Sequence, residues 1–304
     1  MESQTSTAPQ TIAIIGQGAY GSALGRVMSG KGHTVRFFDK NHPGLPAKYP
    51  PLADVLAGAT VIILAIPSQF VPEFLPTIPA EFRNLPFISA VKGILDPAVF
   101  TGFPEYAILS GPAFDTDLDR KLPTTLTASD PIVANLLATD WLTIELTSDI
   151  IGVMACGALK NCYAIGAGFL ELQPDTPTFD EYIAKTLNEL KTAIQILGGH
   201  PETADLACGI GDLKLTCGSN KSRNYQFGQM LNNAELNQDS LLLNAPTNVL
   251  SPNSSPKKDL QTTEGLTTLR TLPKDLKRLP ILHELILLTR NESDTLNIGD
   301  INPI

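Results

Sequence analysis

Three glycines follow a short apolar segment near the start of the chain and constrain the fold more than any other feature. They are Gly16, Gly18 and Gly21 in the stretch "TIAIIGQGAYGSALG". In a strand-turn-helix unit the first glycine permits a tight turn, the second lets a pyrophosphate approach the backbone, and the third brings helix and strand together. The stretch therefore predicts a βαβ unit that binds a dinucleotide, with an accidental glycine turn as the alternative.

The residues after the second predicted strand indicate which dinucleotide is bound. The segment "HTVRFFDK" ends with Asp39 and Lys40. Asp39 follows the glycines at roughly the 20-residue separation at which an acidic residue contacts the ribose. A carboxylate accepts hydrogen bonds from the 2′-hydroxyl of NADH and repels the 2′-phosphate of NADPH, whereas Lys40 could pair with that phosphate. We expect NAD(H) to be preferred and NADP(H) to be the poorer cofactor.

Further apolar runs predict the fold class. "TVIILAIPS" and "PFISAVKG" are separated by helix-sized segments, which favours a doubly wound parallel sheet over residues 1–148. From about Ser148 the chain is rich in Ala, Leu and Gly, and "FDEYIAKTLNELKTAIQILGG" is amphipathic at helical spacing. We therefore expect an α/β fold with a mainly α-helical second domain over residues 149–304. Clustered Pro, Asn and Ser at about 236–262 predict an exposed, partly mobile loop.

Charge and residue usage exclude several classes of function. The formal net charge of -9 provides no field that attracts a polyanion, so we expect no nucleic-acid partner. The four cysteines form no C-x-x-C pair and the four histidines are scattered, which argues against a metal site. No basic and apolar leader opens the chain, and we expect a cytoplasmic protein. The sequence leaves the oligomeric state open, with a homodimer as one option.

A lysine lies in the middle of an apolar stretch, "IIGVMACGALKNCYAIGAGFL", which contains Lys160 and Asn161. A membrane span is one interpretation, but a central lysine costs about 3 kcal/mol there. A lysine exposed on a surface helix is a second interpretation. Because the neighbours on both sides are apolar through a full turn, we expect Lys160 to enter a cleft. A desolvated, paired lysine is a candidate acid or base.

A second polar cluster occurs in "GDLKLTCGSNKSRNYQFG". A helix beginning near Ser222 would present free N–H groups and the positive end of its dipole, and Arg223 adds a planar cation. Together these suit a phosphate. The alternative is a capping serine beside a solvated arginine. Asp212 upstream favours the functional interpretation, because its carboxylate could orient Lys160.

A series of short motifs follows along the chain. In order they are "GQGAYGSALG", "IPS", "AVKGI", "SGPAF", "ALKN", "GGHPET", "GIGDLKLTC", "SRNYQFG" and "TEGLTT". Over nearly the whole chain they resemble the NAD(P)-dependent glycerol-3-phosphate dehydrogenases. The resemblance implies an N-terminal Rossmann-type domain and a helical C-terminal domain. It also implies reversible hydride transfer between a nicotinamide and C2 of dihydroxyacetone phosphate or sn-glycerol 3-phosphate, a small phosphorylated three-carbon substrate that serves glycerophospholipid synthesis.

The resemblance also implies roles for individual residues. Lys160 looks like the catalytic lysine, Lys92 like a second active-site lysine and Asp212 like their carboxylate partner. Asn161 looks like a member of the same catalytic cluster. The positions similar to substrate contacts are Lys92, Gly111, Lys160, Asp212, Ser222, Arg223 and Asn224. The cofactor contacts implied by the glycine motif and by the resemblance together are Gly16, Gly18, Tyr20, Gly21, Asp39, Lys40, Lys92, Arg223 and Glu264.

The chain departs from the family pattern at several places. Ala113 stands where the family usually has Ser, which removes a hydroxyl contact to substrate. Asp115 adds a negative charge near an anionic site. The segment "LELQPDTPTFDEYIAKTL" lacks the usual small residues around an Asn-Thr pair, and the loop at about 236–262 is longer than typical. The first two departures bear on substrate affinity and leave the reaction itself unchanged.

Two other functions remain compatible with the residues. One is a related dehydrogenase that acts on a 2-hydroxy or 3-hydroxy acid, in which Arg223 would meet a carboxylate instead of a phosphate. The other is a non-catalytic, dinucleotide-binding redox sensor. Such a sensor would keep the glycine turn but has no need for Lys160, Asp212 and Arg223 together.

Overall fold

The computed structural model describes residues 8–39, 50–236 and 263–289. Its first half is a seven-stranded sheet in the order β2-β1-β3-β4-β5-β6-β7. The strands are β1 (Thr11–Ile15), β2 (Thr34–Phe38), β3 (Val61–Leu64), β4 (Phe87–Ser89), β5 (Tyr106–Ser110), β6 (Thr124–Ala128) and β7 (Leu142–Leu146). Strands β1 to β5 pair in parallel, and β6 is antiparallel to β5 and parallel to β7. The predicted doubly wound sheet is confirmed, with one antiparallel step.

Short helices connect the strands. They are α1 (Ala19–Gly30), α2 (Leu52–Leu56), α3 (Val71–Phe74), α4 (Asp115–Asp119) and α5 (Pro131–Leu137). Single 3-10 turns occur at Ser68–Phe70, Leu75–Thr77, Ala80–Phe82 and Pro97–Phe100. Most of these connections are too short for a strong helical period in the sequence.

Strand β1 lies inside the sheet and is buried on both faces. Ile12 and Ile14 belong to a cluster that contains Leu24 of α1, whereas Ala13 and Ile15 belong to a separate cluster. Successive side chains of a strand point to opposite faces, so a strand covered on both sides is apolar throughout. Because β2 and β3 lie on opposite sides of β1, the winding reverses there. Ligands bind beyond the carboxyl ends of the strands at such a reversal.

The second half of the described chain is helical. Its helices are α6 (Ile150–Phe169), α7 (Pro177–Ile196), α8 (Asp212–Cys217), α9 (Arg223–Leu236), α10 (Glu264–Thr271) and α11 (Pro280–Leu288). A π-helical turn, Ala207–Gly211, leads directly into α8, and 3-10 turns occur at Pro201–Asp205 and Leu276–Arg278. The loop predicted at about 236–262 lies outside the described residues from position 237 onward.

Helix α6 is the centre of the helical half and contacts α7, α8, α9, α10, α11 and β5. It is long and apolar enough to span a membrane, but 89% of its most apolar 18-residue stretch is buried inside the protein. A helix that is apolar on all sides is a core helix when other elements surround it. Asp149 caps α6 by accepting a hydrogen bond from the backbone N–H of Gly152 at 2.9 Å. A Cβ atom on Gly168 would collide with the backbone of Tyr225, so glycine permits the close approach of α9.

Candidate active site

A cavity of about 610 Å³ lies where the sheet half meets the helical half. Its wall combines the glycine turn, the segments that follow β3, β4 and β5, and residues of α6, α8, α9 and α10. The predicted site residues in the wall are Gly18, Tyr20, Gly21, Lys92, Lys160, Asn161, Asp212, Ser222, Arg223, Asn224 and Glu264. The fold therefore brings together residues that are far apart in the sequence.

The glycine turn has room for a ligand. Gly16 has a φ of 104°, and a Cβ atom there would collide with the carbonyl of Ala65, so the turn requires glycine. A Cβ atom on Gly18 would meet no atom within 4 Å, and Gly18 lines the cavity. Helix α1 has no acidic residue in its first turn. Free N–H groups and the positive end of a helix dipole then face a space that a pyrophosphate could occupy.

Asp39 lies at the end of β2, next to the glycine turn. Its Oδ2 accepts a hydrogen bond from the backbone N–H of Gln17 at 2.8 Å. Asp39 and Gly16 are not among the residues that line the cavity. Lys40 lies outside the described residues. The carboxylate is thus fixed beside the turn, and its contact with a ribose stays a prediction.

Lys160 and Asp212 form a buried ion pair. Lys160 is 3% exposed and lies in the middle of α6, and Asp212 is 1% exposed and begins α8. The other carboxylate oxygen of Asp212, Oδ1, accepts a hydrogen bond from Thr216 Oγ1 at 3.2 Å. Burial lowers the pKa of Lys160, Asp212 opposes this effect, and the charge of Lys92 adds to the lowering. The result is a lysine that loses its proton more readily than one in water.

A chain of hydrogen bonds joins three helices behind this lysine. Asn224 Nδ2 donates to Asn161 Oδ1 at 2.9 Å, and Asn161 Nδ2 donates to Glu264 Oε2 at 3.3 Å. The backbone N–H of Gly265 donates to Asn224 Oδ1 at 2.9 Å. Helices α6, α9 and α10 are thereby held in a fixed arrangement around the cavity. The two asparagines are largely occupied by this network.

Lys92 reaches the cavity from the segment after β4. Its Nζ lies 4.9 Å from the centre of the Tyr20 ring, and both residues line the cavity. A cation at this distance is attracted to the ring face. Burial, and then the charge of Asp212, raise the pKa of Tyr20, so the ring stays a neutral phenol. This contact directs a second ammonium group into the site.

The start of α9 has features of both interpretations of the "SRN" motif, because it contains a capping serine and an arginine that lines the cavity. Ser222 is 3% exposed, and its Oγ accepts a hydrogen bond from the backbone N–H of Tyr225 at 3.3 Å, as a capping serine does. Arg223 is exposed and lines the cavity. Within the part of the chain that the structure describes, its guanidinium has no hydrogen bond or ion pair. Arg223 is therefore available to an anionic ligand.

Gly111 has a structural reason to be glycine. It follows β5 with a φ of 145°, and a Cβ atom there would lie 2.9 Å from Leu126 Cα. It is not among the lining residues, so a substrate contact from Gly111 stays a prediction. Ala113 and Asp115 both line the cavity, as their motif indicates.

Two further polar residues, Thr216 and Lys221, line the cavity although the sequence motifs did not indicate them. Thr216 follows Asp212 by one helical turn, a spacing that could have identified it. The four cysteines are free and buried. In residues 8–39, 50–236 and 263–289, no three His, Cys, Asp or Glu side chains group as metal ligands, and the expectation of no metal site stays a prediction.

Comparison with known proteins places the chain in a family. A family model described as NAD-dependent glycerol-3-phosphate dehydrogenase C-terminus matches residues 149–298. The chain is 32% identical over 253 residues to a Paracoccus denitrificans protein named glycerol-3-phosphate dehydrogenase (NAD(P)+), which covers 73% of this chain and 80% of the relative. The chain belongs to the glycerol-3-phosphate dehydrogenase family.

Two further proteins named glycerol-3-phosphate dehydrogenase are also similar to this chain. A Synechococcus relative with the same NAD(P)+ name is 33% identical over 248 residues, or 75% of this chain and 76% of the relative. The crystal structure of glycerol-3-phosphate dehydrogenase from Coxiella burnetii has a TM-score of 0.72 at 23% identity and covers 94% of this chain and 96% of that chain. At that identity the likeness shows the fold. The predicted family and fold class, a Rossmann-type sheet with a helical C-terminal domain, are confirmed.

Proposed function

We propose that the chain catalyses reversible hydride transfer between NAD(P)H and C2 of dihydroxyacetone phosphate, with sn-glycerol 3-phosphate as the reduced product. The observation that supports this most strongly is the buried ion pair of Lys160 and Asp212, which lies in the same cavity as the glycine turn and the available Arg223. The names of the relatives support the substrate and the cofactor. A ketone that carries a phosphate matches a cavity that offers both a proton donor and an exposed cation.

The residues of the glycine turn fit a dinucleotide. Gly18 leaves open space, and the first turn of α1 offers N–H groups and contains no acidic residue. Tyr20, Lys92, Arg223 and Glu264 would complete the cofactor site from the rest of the cavity wall. When bound, the nicotinamide supplies the hydride in reduction and accepts it in oxidation. The position of Asp39 beside the turn supports a preference for NADH over NADPH.

Lys160 is the proposed proton donor. When the ketone is reduced, negative charge develops on the oxygen at C2, and a proton or a cation must meet it. The Lys160 ammonium can donate that proton, and Lys92 places a second positive charge on the same wall. Asp212 orients Lys160 and offsets the effect of burial on its charge. In the oxidation direction, neutral Lys160 accepts the proton of the hydroxyl group.

Arg223 is the proposed contact for the phosphate. Its planar guanidinium can donate two parallel hydrogen bonds to phosphate oxygens. It is the first residue of α9, a helix of 14 residues, so the positive end of the helix dipole adds to its charge. Asn224 supports this region through its bond to Asn161. Ser222 contributes by capping the helix.

We also propose a domain boundary, a cellular location and a metabolic role. We divide the chain into a dinucleotide-binding domain, residues 1–148, and a catalytic domain, residues 149–304. The end of β7 at Leu146 and the start of α6 at Ile150 support that boundary. A cytoplasmic location and a role in supplying glycerol 3-phosphate for glycerophospholipid synthesis are supported by family membership.

An NADH-oxidation assay tests the proposed function. Dihydroxyacetone phosphate is compared with a panel of 2-keto acids at equal concentrations. We expect turnover with dihydroxyacetone phosphate and a much lower kcat/KM with every keto acid. A preference for a keto acid would indicate that Arg223 binds a carboxylate and would contradict the proposal. Absence of turnover with every substrate would favour a redox sensor.

A further inference from the structure

A fourth cation, after Lys92, Lys160 and Arg223, lies at the rim of the cavity next to Ser222. Lys221 lines the cavity, and its side chain is 51% exposed. Its Nζ lies 2.9 Å from Asp117 Oδ1 and 5.6 Å from the centre of the Phe114 ring. Phe114 also lines the cavity. The ammonium group is thus held at one place instead of moving freely in solvent.

The partner of Lys221 is itself held firmly. Asp117 lies in α4, is 9% exposed, and accepts a hydrogen bond from the backbone N–H of Phe114 at 3.4 Å through Oδ2. Lys221 precedes α9 and is separated from Asp117 by 104 positions. The ion pair therefore links the segment after β5 to the start of α9. Because the Lys221 side chain is half exposed, this ion pair contributes little to stability by itself.

The hydrogen-bonding capacity of Lys221 is only partly used. A lysine ammonium carries three donors. Among the described residues, Asp117 is the one hydrogen-bond acceptor of the Lys221 ammonium group. Two donors remain for a ligand in the cavity. Arg223 follows two positions later and faces the same space without a protein partner in the described part of the chain.

We propose that Lys221 is a specificity-determining residue that binds the phosphate of the substrate together with Arg223. Asp117 is a positioning residue, because it holds the Lys221 ammonium at the rim while the remaining donors reach the phosphate. Two cations then bind the phosphate dianion. A carboxylate with one negative charge, or a neutral ketone, gains less from the same two cations. This inference rests on the proposed function and adds a residue to its substrate site.

The test compares wild type with Lys221→Gln, which removes the charge and keeps a polar side chain. Lys214→Gln is the matched control, because Lys214 is exposed on α8 and does not line the cavity. We expect Lys221→Gln to raise KM for dihydroxyacetone phosphate by about threefold to tenfold, with a much smaller change in kcat. The loss with unphosphorylated dihydroxyacetone should be much smaller, and Lys214→Gln should behave as wild type. Asp117→Asn should raise the same KM by a smaller factor.

Binding without turnover separates this inference from the proposed function. The affinity for sn-glycerol 3-phosphate, measured by calorimetry, should fall in Lys221→Gln by a factor similar to the change in KM. Equal affinity in wild type and Lys221→Gln, or equal losses with the phosphorylated and unphosphorylated ketones, would overturn the role of Lys221. A wild-type protein that binds sn-glycerol 3-phosphate but does not reduce dihydroxyacetone phosphate would instead contradict the proposed function.

Discussion

Lys160 and Asp212 form a buried ion pair that joins the middle of α6 to the first residue of α8, although 52 positions separate them in the chain. Neither charge has much access to solvent, because the two residues are 3% and 1% exposed. Removing one buried partner is costly, because the charge that remains is left without a counter-ion and without water to solvate it. The residues proposed for catalysis therefore also contribute to the packing of the helical half.

Asp212→Asn tests this structural contribution. Removal of one partner of a buried ion pair costs about 3–5 kcal/mol, so the free energy of unfolding should fall by an amount of that order. Asp205→Asn is the control, because Asp205 pairs with Lys191 at a site where the two side chains are 54% and 34% exposed. That pair should contribute at most about 1 kcal/mol. Urea denaturation of both variants gives the comparison, and equal losses would contradict the role of burial.

The pH dependence of the reaction should report the titration of Lys160. Burial lowers the pKa of Lys160 below its ordinary value of 10.5, with the charge of Lys92 adding to the effect and Asp212 opposing it. The ammonium donates the proton in reduction, so kcat/KM for dihydroxyacetone phosphate should fall as the pH rises through that lowered pKa. A Lys160→Arg variant keeps its charge and should lack this limb, whatever its absolute rate. A limb that persists unchanged in Lys160→Arg would belong to another group.

Arg223→Ala should weaken substrates that carry a phosphate. It removes a charge-assisted contact worth roughly 1.5–3 kcal/mol. We expect a large loss of kcat/KM with dihydroxyacetone phosphate and a much smaller loss with dihydroxyacetone, and NADH affinity can fall as well because Arg223 is also a proposed cofactor contact. Arg270→Ala, at an exposed position near the end of α10, is the control for loss of an arginine. Equal losses with both substrates would show that Arg223 does not recognise the phosphate.

Asp39→Asn tests the choice of cofactor. The amide oxygen can still accept the hydrogen bond from Gln17, but the negative charge that opposes a 2′-phosphate is gone. Wild type should have a higher kcat/KM with NADH than with NADPH, and the variant should shift toward NADPH. Asp39→Gly, which also removes the acceptor, should shift in the same direction. A wild-type preference for NADPH, or no shift in either variant, would remove Asp39 from cofactor selection.

The sequence predicted those parts of the fold and site that local patterns encode. The glycine turn was recognisable because Gly16, which permits the tight turn, and Gly18, which leaves space for a ligand, lie within one short segment. The burial of Lys160 was predictable because it lies in the middle of a long, mostly apolar stretch. The antiparallel step at β6 was not predictable, since the "TTLTA" of β6 and the "LTIEL" of β7 lack a continuous apolar run. The same holds for Lys221, because its partner Asp117 lies 104 positions away and no local pattern connects them.

The turnover of Lys160→Ala is the sharpest test of the proposed mechanism. The Lys160 ammonium is proposed to donate the proton to the oxygen at C2, so its removal should act on the transition state. We expect kcat for reduction of dihydroxyacetone phosphate to fall by at least about a hundredfold while the dissociation constant for NADH changes little. Lys160→Met, which keeps most of the length of the side chain without the amine, should show the same loss and controls for the space left by alanine. Near-normal kcat in a folded variant that binds NADH would contradict the proposed role of Lys160.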